Sequence, residues 1–139
     1  MKTSTFVVLL ISHLSLAQTS YEIVSPDKNI IVSCDVATML YRISFKGKVV
    51  LENSKLGVVR NDEDFSKNLK VIKASAPKQI TEKYSILTAK KKDITYKATE
   101  RSIGTQTASG KKMNLIFRVS NDGVAFRYEF RINQQTSKR

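Results

Sequence analysis

The stretch that decides the fold is "MNLIFRVSNDGVAFRYEF", residues 113–130. In its first half the odd-numbered residues, from Met113 to Val119, are large and apolar. In its second half the even-numbered residues, from Val124 to Phe130, are the large apolar ones. Such alternation indicates strands with one apolar face, and Asn121-Asp122-Gly123 between them tolerates the positive φ angles of a tight hairpin. We therefore expect antiparallel strands over 113–120 and 124–131.

The same period of two recurs along most of the chain. "LYRISF" (40–45) and "KVVLE" (48–52) flank the turn residues Lys46-Gly47, and strands also flank the turn at Ser25-Pro26-Asp27. "NLKVIKAS" (68–75) is a less regular strand. No window favours a helix, so we expect an all-β fold, a β-sandwich of about eight short strands. The section 77–112 is the least regular, and its end, 102–112, is expected to be an exposed loop.

The first residues predict a secretory leader. Lys2 precedes an apolar run from Phe6 to Leu16, and Ser15 and Ala17 are the small residues of a cleavage site. The apolar run is shorter than the roughly 20 residues of a bilayer-spanning helix. We expect residues 1–17 to be a signal peptide, residues 18–139 to be the exported chain, and its location to be periplasmic, without a membrane span.

Removal of that leader would also remove His13, the only histidine. Imidazole-based general-base catalysis and histidine-ligated zinc are then excluded. Cys34 is the only cysteine, so no intramolecular disulfide can form. In "NIIVSCDV" (29–36) it is predicted to be a small buried strand residue rather than a nucleophile.

The net charge of +12 is concentrated in the second half of the chain. From Phe65 onward there are 17 basic and 5 acidic residues, but only "KKK" at 90–92 forms a run. The other cations are scattered among apolar strand residues. A solvated basic face is therefore favoured over a nucleic-acid interface, and we expect no nucleic-acid partner.

Few residues are candidates for chemistry. Asp62, Glu63 and Asp64 in "NDEDF" could attract calcium, but the spaced ligands of an EF-hand are missing and a polar turn is favoured. Nothing in the sequence pairs carboxylates for glycoside hydrolysis. The carboxylates considered for that reaction are Glu82, Glu100 and Glu129. An aromatic platform for sugar stacking would be expected to include tryptophan, and the chain has none. Tyr84 and Tyr96 are the tyrosines considered to be exposed, and core or edge packing is favoured for both. We predict no catalytic, cofactor-binding or metal-binding residue in this chain.

Three segments together resemble a known family. They are "SPDKNIIVS" (25–33), "YRISFKGKVVLENSKLGV" (41–58) and "FRVSNDGVAFRYEF" (117–130), and they follow a leader that ends in "LSLAQ". Their order and content resemble the N-terminal domain of glycoside hydrolase family 97, which comprises exported α-glucosidases and α-galactosidases. The family patterns fall on Ser25 to Val32, Tyr41 to Gly57 and Phe117 to Tyr128. Lys28 stands where the family usually has glycine, a change expected to affect only a turn.

The resemblance implies a galactose-mutarotase-like super-sandwich of the carbohydrate-binding type. In the family this domain packs on a (β/α)₈ barrel, which carries the catalytic groups, and helps to shape the pocket for an α-linked oligosaccharide and a calcium site. The catalytic carboxylates and calcium ligands would lie downstream of residue 139. We therefore expect residues 18–139 to be a partial, non-catalytic domain, inactive and only marginally stable by itself. One alternative is a stand-alone sugar-binding module, which would need an exposed aromatic strip that the sequence does not identify. The other is a stand-alone basic adhesion or interaction module without sugar specificity.

Overall fold

A computed structural model describes residues 19–85 and 93–130 of the chain. The expected leader with His13, the lysine run at 90–92 and Arg131 lie outside these residues. The described residues form strands and no helix: β1 (Ser20–Val24), β2 (Ile30–Asp35), β3 (Leu40–Phe45), β4 (Lys48–Lys55), β5 (Val59–Arg60), β6 (Glu63–Asp64), β7 (Lys70–Ala74), β8 (Lys78–Ser85), β9 (Asp93–Gln106), β10 (Lys112–Ser120) and β11 (Val124–Phe130).

The strands form two facing antiparallel sheets and one short hairpin. The first sheet has the order β1-β2-β3-β4. In the second, β11, β10 and β9 are neighbours, and both β7 and β8 pair with the far edge of β9. Strands β1 and β2 lie across β9 and β10, while β5 pairs with β6. The predicted all-β sandwich is confirmed. Within the described ranges, no helix is long and apolar enough to cross a membrane.

The hairpin predicted around Asn121-Asp122-Gly123 is present. Met113 lies opposite Phe130, and Val119 lies opposite Val124. The amide of Ser120 donates a hydrogen bond of 2.9 Å to the carbonyl of Gly123, which closes the turn. The described part of the second strand ends at Phe130.

One face of β10 forms the centre of the core. Met113, Leu115, Phe117 and Val119 are fully buried, as the alternation predicted. From the other sheet they are met by Ile23 of β1 and by the apolar residues of β2, Val32 and Cys34 among them. Full burial of such a side chain contributes about 1.5–3 kcal/mol to the free energy of folding, so this single strand dominates the packing between the sheets.

The other predicted turns and strands are also found. Lys46 and Gly47 connect β3 to β4 with φ angles of 48° and 78°. Lys28, in the turn between β1 and β2, has a φ of 64°. Glycine adopts that left-handed conformation without steric cost, which explains why the family pattern has glycine there. In β7, Val71 packs on the core and Ile72 on the opposite face is exposed.

The expectation of an irregular section over 77–112 is wrong for most of its described residues. Residues 78–85 form β8, and β9 runs through Gln106, so the exposed loop predicted at 102–112 is present only at 107–111. Ile103 and Thr105 are fully buried because β9 has β7 on one side and β10 on the other. The hydroxyl of Thr105 donates to the carbonyl of Met113 at 2.9 Å. This bond lets a polar residue occupy a central strand.

Residues that precede β11 in the chain cover its apolar face. The Tyr41 ring packs edge-on against Phe126, with 5.4 Å between the centroids. Phe65 packs against Phe130 at 5.0 Å, and the Arg60 guanidinium lies 4.8 Å from the centroid of the Phe130 ring. The face is therefore partly covered, whereas the marginal stability expected of the chain by itself stays a prediction.

The two sheets are also joined by a hydrogen bond at Gly57. Its amide donates to the hydroxyl oxygen of Tyr128 over 2.7 Å. Gly57 has a φ of +107°, and a Cβ atom there would lie 2.5 Å from the Cα of Ser66. Only glycine fits this position, for both conformational and steric reasons. Burial raises the pKa of the Tyr128 phenol, so the hydroxyl stays neutral.

We predict that Gly57→Ala destabilises the protein by at least about 2 kcal/mol more than Gly47→Ala. Both glycines have positive φ, but a Cβ atom at Gly47 meets nothing within 4 Å. The difference between the two variants therefore measures the steric clash at Gly57 separately from the cost of placing alanine in the left-handed conformation. Urea unfolding followed by circular dichroism measures both changes, and equal destabilisation would contradict the packing described at Gly57.

Tyr128→Phe is expected to cost about 1–3 kcal/mol, because it leaves a partly buried Gly57 amide without its acceptor. Phe126→Leu serves as the control, since the Phe126 side chain is partly exposed and no hydrogen bond depends on it. The same urea titration applies. A Tyr128→Phe protein as stable as the wild type would show that this bond does not hold the sheets together.

Candidate functional site

The three glutamates considered for glycoside hydrolysis do not form an acid/base pair. Glu82 and Glu100 both bind Arg118, whose Nη1 and Nε atoms lie 3.0 Å and 2.6 Å from their carboxylate oxygens. The hydrogen bond that Arg118 donates to Glu100 is the main reason that the pKa of Arg118 is raised. Because one guanidinium binds both carboxylates, neither is free to act as the acid or the base of a catalytic pair.

Glu129 lies apart from the other two glutamates. Its cross-strand partner is Asn114, whose amide lies 3.5 Å from the carboxylate, and not a basic residue. The nearest described cation is Arg127 on the same strand, at 4.0 Å. Glu129 therefore has a basic neighbour on its own strand and an amide opposite it in β10.

The acidic segment "NDEDF" (61–65) comprises the turn between β5 and β6 and β6 itself, and it docks on the loop that follows β9. Asp62 forms ion pairs with Arg60 and Lys111, each at 3.0 Å. Glu63 accepts hydrogen bonds from the hydroxyls of Ser109 and Thr107. These contacts, with the Ser109 and Lys111 hydrogen bonds foremost, lower the pKa of Glu63 and of Asp62.

This arrangement does not fit a calcium site in the acidic segment itself. Asp64 accepts from the amide and hydroxyl of Ser66, so each acidic residue of the segment already binds donors of the protein. No group of three or more acidic, cysteine or histidine residues converges on one point anywhere in the ranges 19–85 and 93–130. The contacts favour the predicted polar turn.

Cys34 is buried in β2, as predicted. Burial, with a smaller effect of Asp35, raises the pKa of its thiol to about 12. The thiolate is the reactive form of cysteine. At neutral pH this side chain is therefore an inert part of the core.

An open cleft, here called the edge cleft, lies where the hairpin turn of β10–β11 approaches β3 and β4. Its volume is about 510 Å³. Two exposed apolar side chains line it, Phe45 (41% exposed) and Val50 (62% exposed). At the adjacent turn, the Asn121 side chain accepts a hydrogen bond from the amide of Asp27 at 3.0 Å. The remaining lining residues are Ile30, Ile43, Asp122, Gly123 and Val124.

Tyr84 and Tyr96 are brought together by the pairing of β8 with β9. Glu82 lies opposite Tyr96, and Tyr84 lies opposite Ile94, so the two tyrosines are diagonal neighbours on one face. Tyr84 is 48% exposed, and Tyr96 is partly buried. They lie near the start of β9, beyond the part of it that pairs with β10. The sequence alone does not indicate that the two tyrosines are close, because nothing in it pairs β8 with β9.

Comparisons with known proteins agree with this structure. The family model of the glycosyl-hydrolase 97 N-terminal domain matches residues 23–138. A probable retaining alpha-galactosidase of Streptomyces bingchenggensis (strain BCW-1) is 27% identical over 103 residues, which are 74% of this chain and 16% of that protein.

Solved structures with the same fold include a beta-arabinopyranosidase, with 33% identity and a TM-score of 0.76 over 82% of this chain. A glycoside hydrolase family 97 enzyme from Pseudoalteromonas sp. strain K8, solved in complex with panose and with acarbose, has 26% identity and a TM-score of 0.71 over 83% of this chain. The matched region covers 18% of each of these proteins.

The chain thus spans less than a fifth of the length of the relatives it matches. The matched region contains all three segments of the resemblance, and the structure joins these segments through the Gly57–Tyr128 and Asp27–Asn121 hydrogen bonds. The chain belongs to the family of N-terminal domains of glycoside hydrolase family 97.

Proposed function

We propose that this chain is the non-catalytic N-terminal domain of an exported α-glycosidase. In this proposal it packs on a (β/α)₈ catalytic barrel and helps to shape the pocket that receives an α-linked oligosaccharide. The barrel, with the catalytic carboxylates and any calcium ligands, lies outside the 139 residues of this chain. The exported and periplasmic location rests on the leader pattern of residues 1–17.

The edge cleft is the observation that carries this proposal. Exposed apolar residues that cluster around a concavity mark a surface that another protein surface covers. Phe45 and Val50 project into such a concavity, and both sit on the β3–β4 hairpin at the open edge of the first sheet. An edge strand that stays uncovered also favours aggregation. A barrel domain seated there would cover both features.

The state of the carboxylates supports a non-catalytic role. Glu82 and Glu100 are tied to Arg118, and the acidic turn at 61–65 is tied to the loop after β9. These contacts make the side chains structural. Two relatives with enzyme names, the alpha-galactosidase and the beta-arabinopyranosidase, are about six times longer than the matched region, which leaves room for a separate catalytic domain.

The test is reconstitution of a family enzyme from two pieces. The chain, tagged and produced from its full gene, is co-expressed with the Pseudoalteromonas family 97 enzyme from which the matching N-terminal region has been removed. We expect the two pieces to co-purify. We also expect hydrolysis of an aryl α-glucoside or α-galactoside by the complex and none by the chain alone, because Glu82 and Glu100 are bound to Arg118 and Glu129 lies apart from them.

Substitutions in the edge cleft then locate the contact. Phe45→Ser and Val50→Ser are expected to lower the recovery of the partner several-fold. Ile72→Ser is the matched control, since Ile72 is 47% exposed but lies on the second sheet, away from the cleft. Recovery that is insensitive to the cleft variants would contradict the proposed surface. Turnover by the purified chain alone would contradict the non-catalytic role.

A further inference from the structure

Strand β8 and the first part of β9 form a two-stranded ribbon, residues 81–85 and 93–97. The pairing runs from Thr81 opposite Lys97 to Ser85 opposite Asp93. Strand β10 pairs only with Ala98 to Gln106 of β9, so the ribbon extends beyond the three-stranded part of the sheet. In the described part of the chain, β9 is the main packing partner of β8.

The two faces of the ribbon differ sharply in chemistry. One face is wholly polar: Thr81, Lys83, Ser85, Asp93, Thr95 and Lys97. The other, here called the tyrosine platform, carries Glu82, Tyr84, Ile94 and Tyr96. A two-stranded ribbon is only marginally stable without further cover. The platform continues the face of β9 that carries Glu100, opposite to the face on which Ile103 and Thr105 are buried, so its rings lie away from the core.

Charged groups with fixed positions border the platform. Arg118 binds Glu82 and Glu100 at the same time, on the face of the sheet that continues into the platform. The Glu82 side chain is 52% exposed and lies directly opposite Tyr96. It therefore keeps free acceptor capacity toward the solvent beside an aromatic ring, while the ion pair limits its motion.

We propose that the tyrosine platform binds pyranose rings of an oligosaccharide. The C–H face of a pyranose packs on the tyrosine rings, and its hydroxyls donate to Glu82 and accept from Arg118. Ligand sites combine apolar and aromatic walls with a few placed polar groups, as this face does. The proposal rests on the proposed function, which makes an oligosaccharide the substrate of the whole enzyme, and it adds a second place of contact with that substrate.

Composition favours a sugar over a protein as the occupant. The centre of a protein interface is depleted of charged residues, above all of glutamate and lysine. Here an exposed glutamate lies directly opposite one of the two tyrosines of the platform. The edge cleft, which is lined mainly by aliphatic and aromatic side chains, has the composition of a packing surface instead.

The experiment is an amide chemical-shift titration of the isotope-labelled chain with panose and with an α-galactoside. The largest saturable shifts are expected at Tyr84, Ile94 and Tyr96. Tyr84→Ala and Tyr96→Ala should each weaken binding at least about tenfold, which corresponds to ~1.4 kcal/mol. Lys83→Ala and Thr95→Ala are the matched controls, because these two residues are cross-strand partners on the polar face, and they should leave the affinity unchanged.

Three results would overturn the proposal: no saturable shift with either sugar, shifts confined to the edge cleft, or equal weakening by the control variants. Tyr84 is half-exposed, so Tyr84→Ala is expected to fold even if Tyr96→Ala does not. Loss of the platform shifts when the barrel piece is added would show that a polypeptide covers the platform. Co-purification with the barrel is measured separately, so failure of the sugar site and failure of the proposed function are distinguishable.

Discussion

One face of β10 carries four large apolar side chains, and water would contact all of them unless a second sheet lay across it. This constraint arranges the rest of the molecule. Strands β1 and β2 supply the opposing apolar surface, and β9 and β11 extend the buried face on either side of β10. Phe117, at the centre, is packed against Tyr41 of the opposite sheet and Phe126 of its own.

Much of this could be predicted because alternation reports directly which face of a strand is buried. The sequence predicts the β10–β11 hairpin, the turns at Ser25 and Lys46 and the burial of Cys34. Strand β9 is not recognisable from its sequence, because its buried residues include the polar Thr105, whose hydroxyl donates a hydrogen bond to the carbonyl of Met113. Local composition cannot reveal a partner that lies elsewhere in the chain, and for this reason the sequence predicts a loop at the end of this central strand.

The candidate sites were less predictable than the fold, for the same reason. Nothing in the sequence relates Arg118 to Glu82 and Glu100, since their contact depends on the order of β8, β9 and β10. The proximity of Tyr84 and Tyr96 likewise follows from the register of β8 with β9. Gly57 stands in a segment that resembles the family, yet its role as donor to Tyr128 and as the close neighbour of Ser66 requires the packed structure.

We infer that the three family segments join the two sheets into one cooperative sandwich. Amide hydrogen exchange under native conditions tests it most directly, because it reports the free energy of opening for each strand. We predict that the central amides of β2 and β10 exchange only through global unfolding, with the same free energy of unfolding as a urea melt gives. Exchange of β2 at a clearly lower free energy than β10 would mean that the sheets open independently, and would contradict the claim.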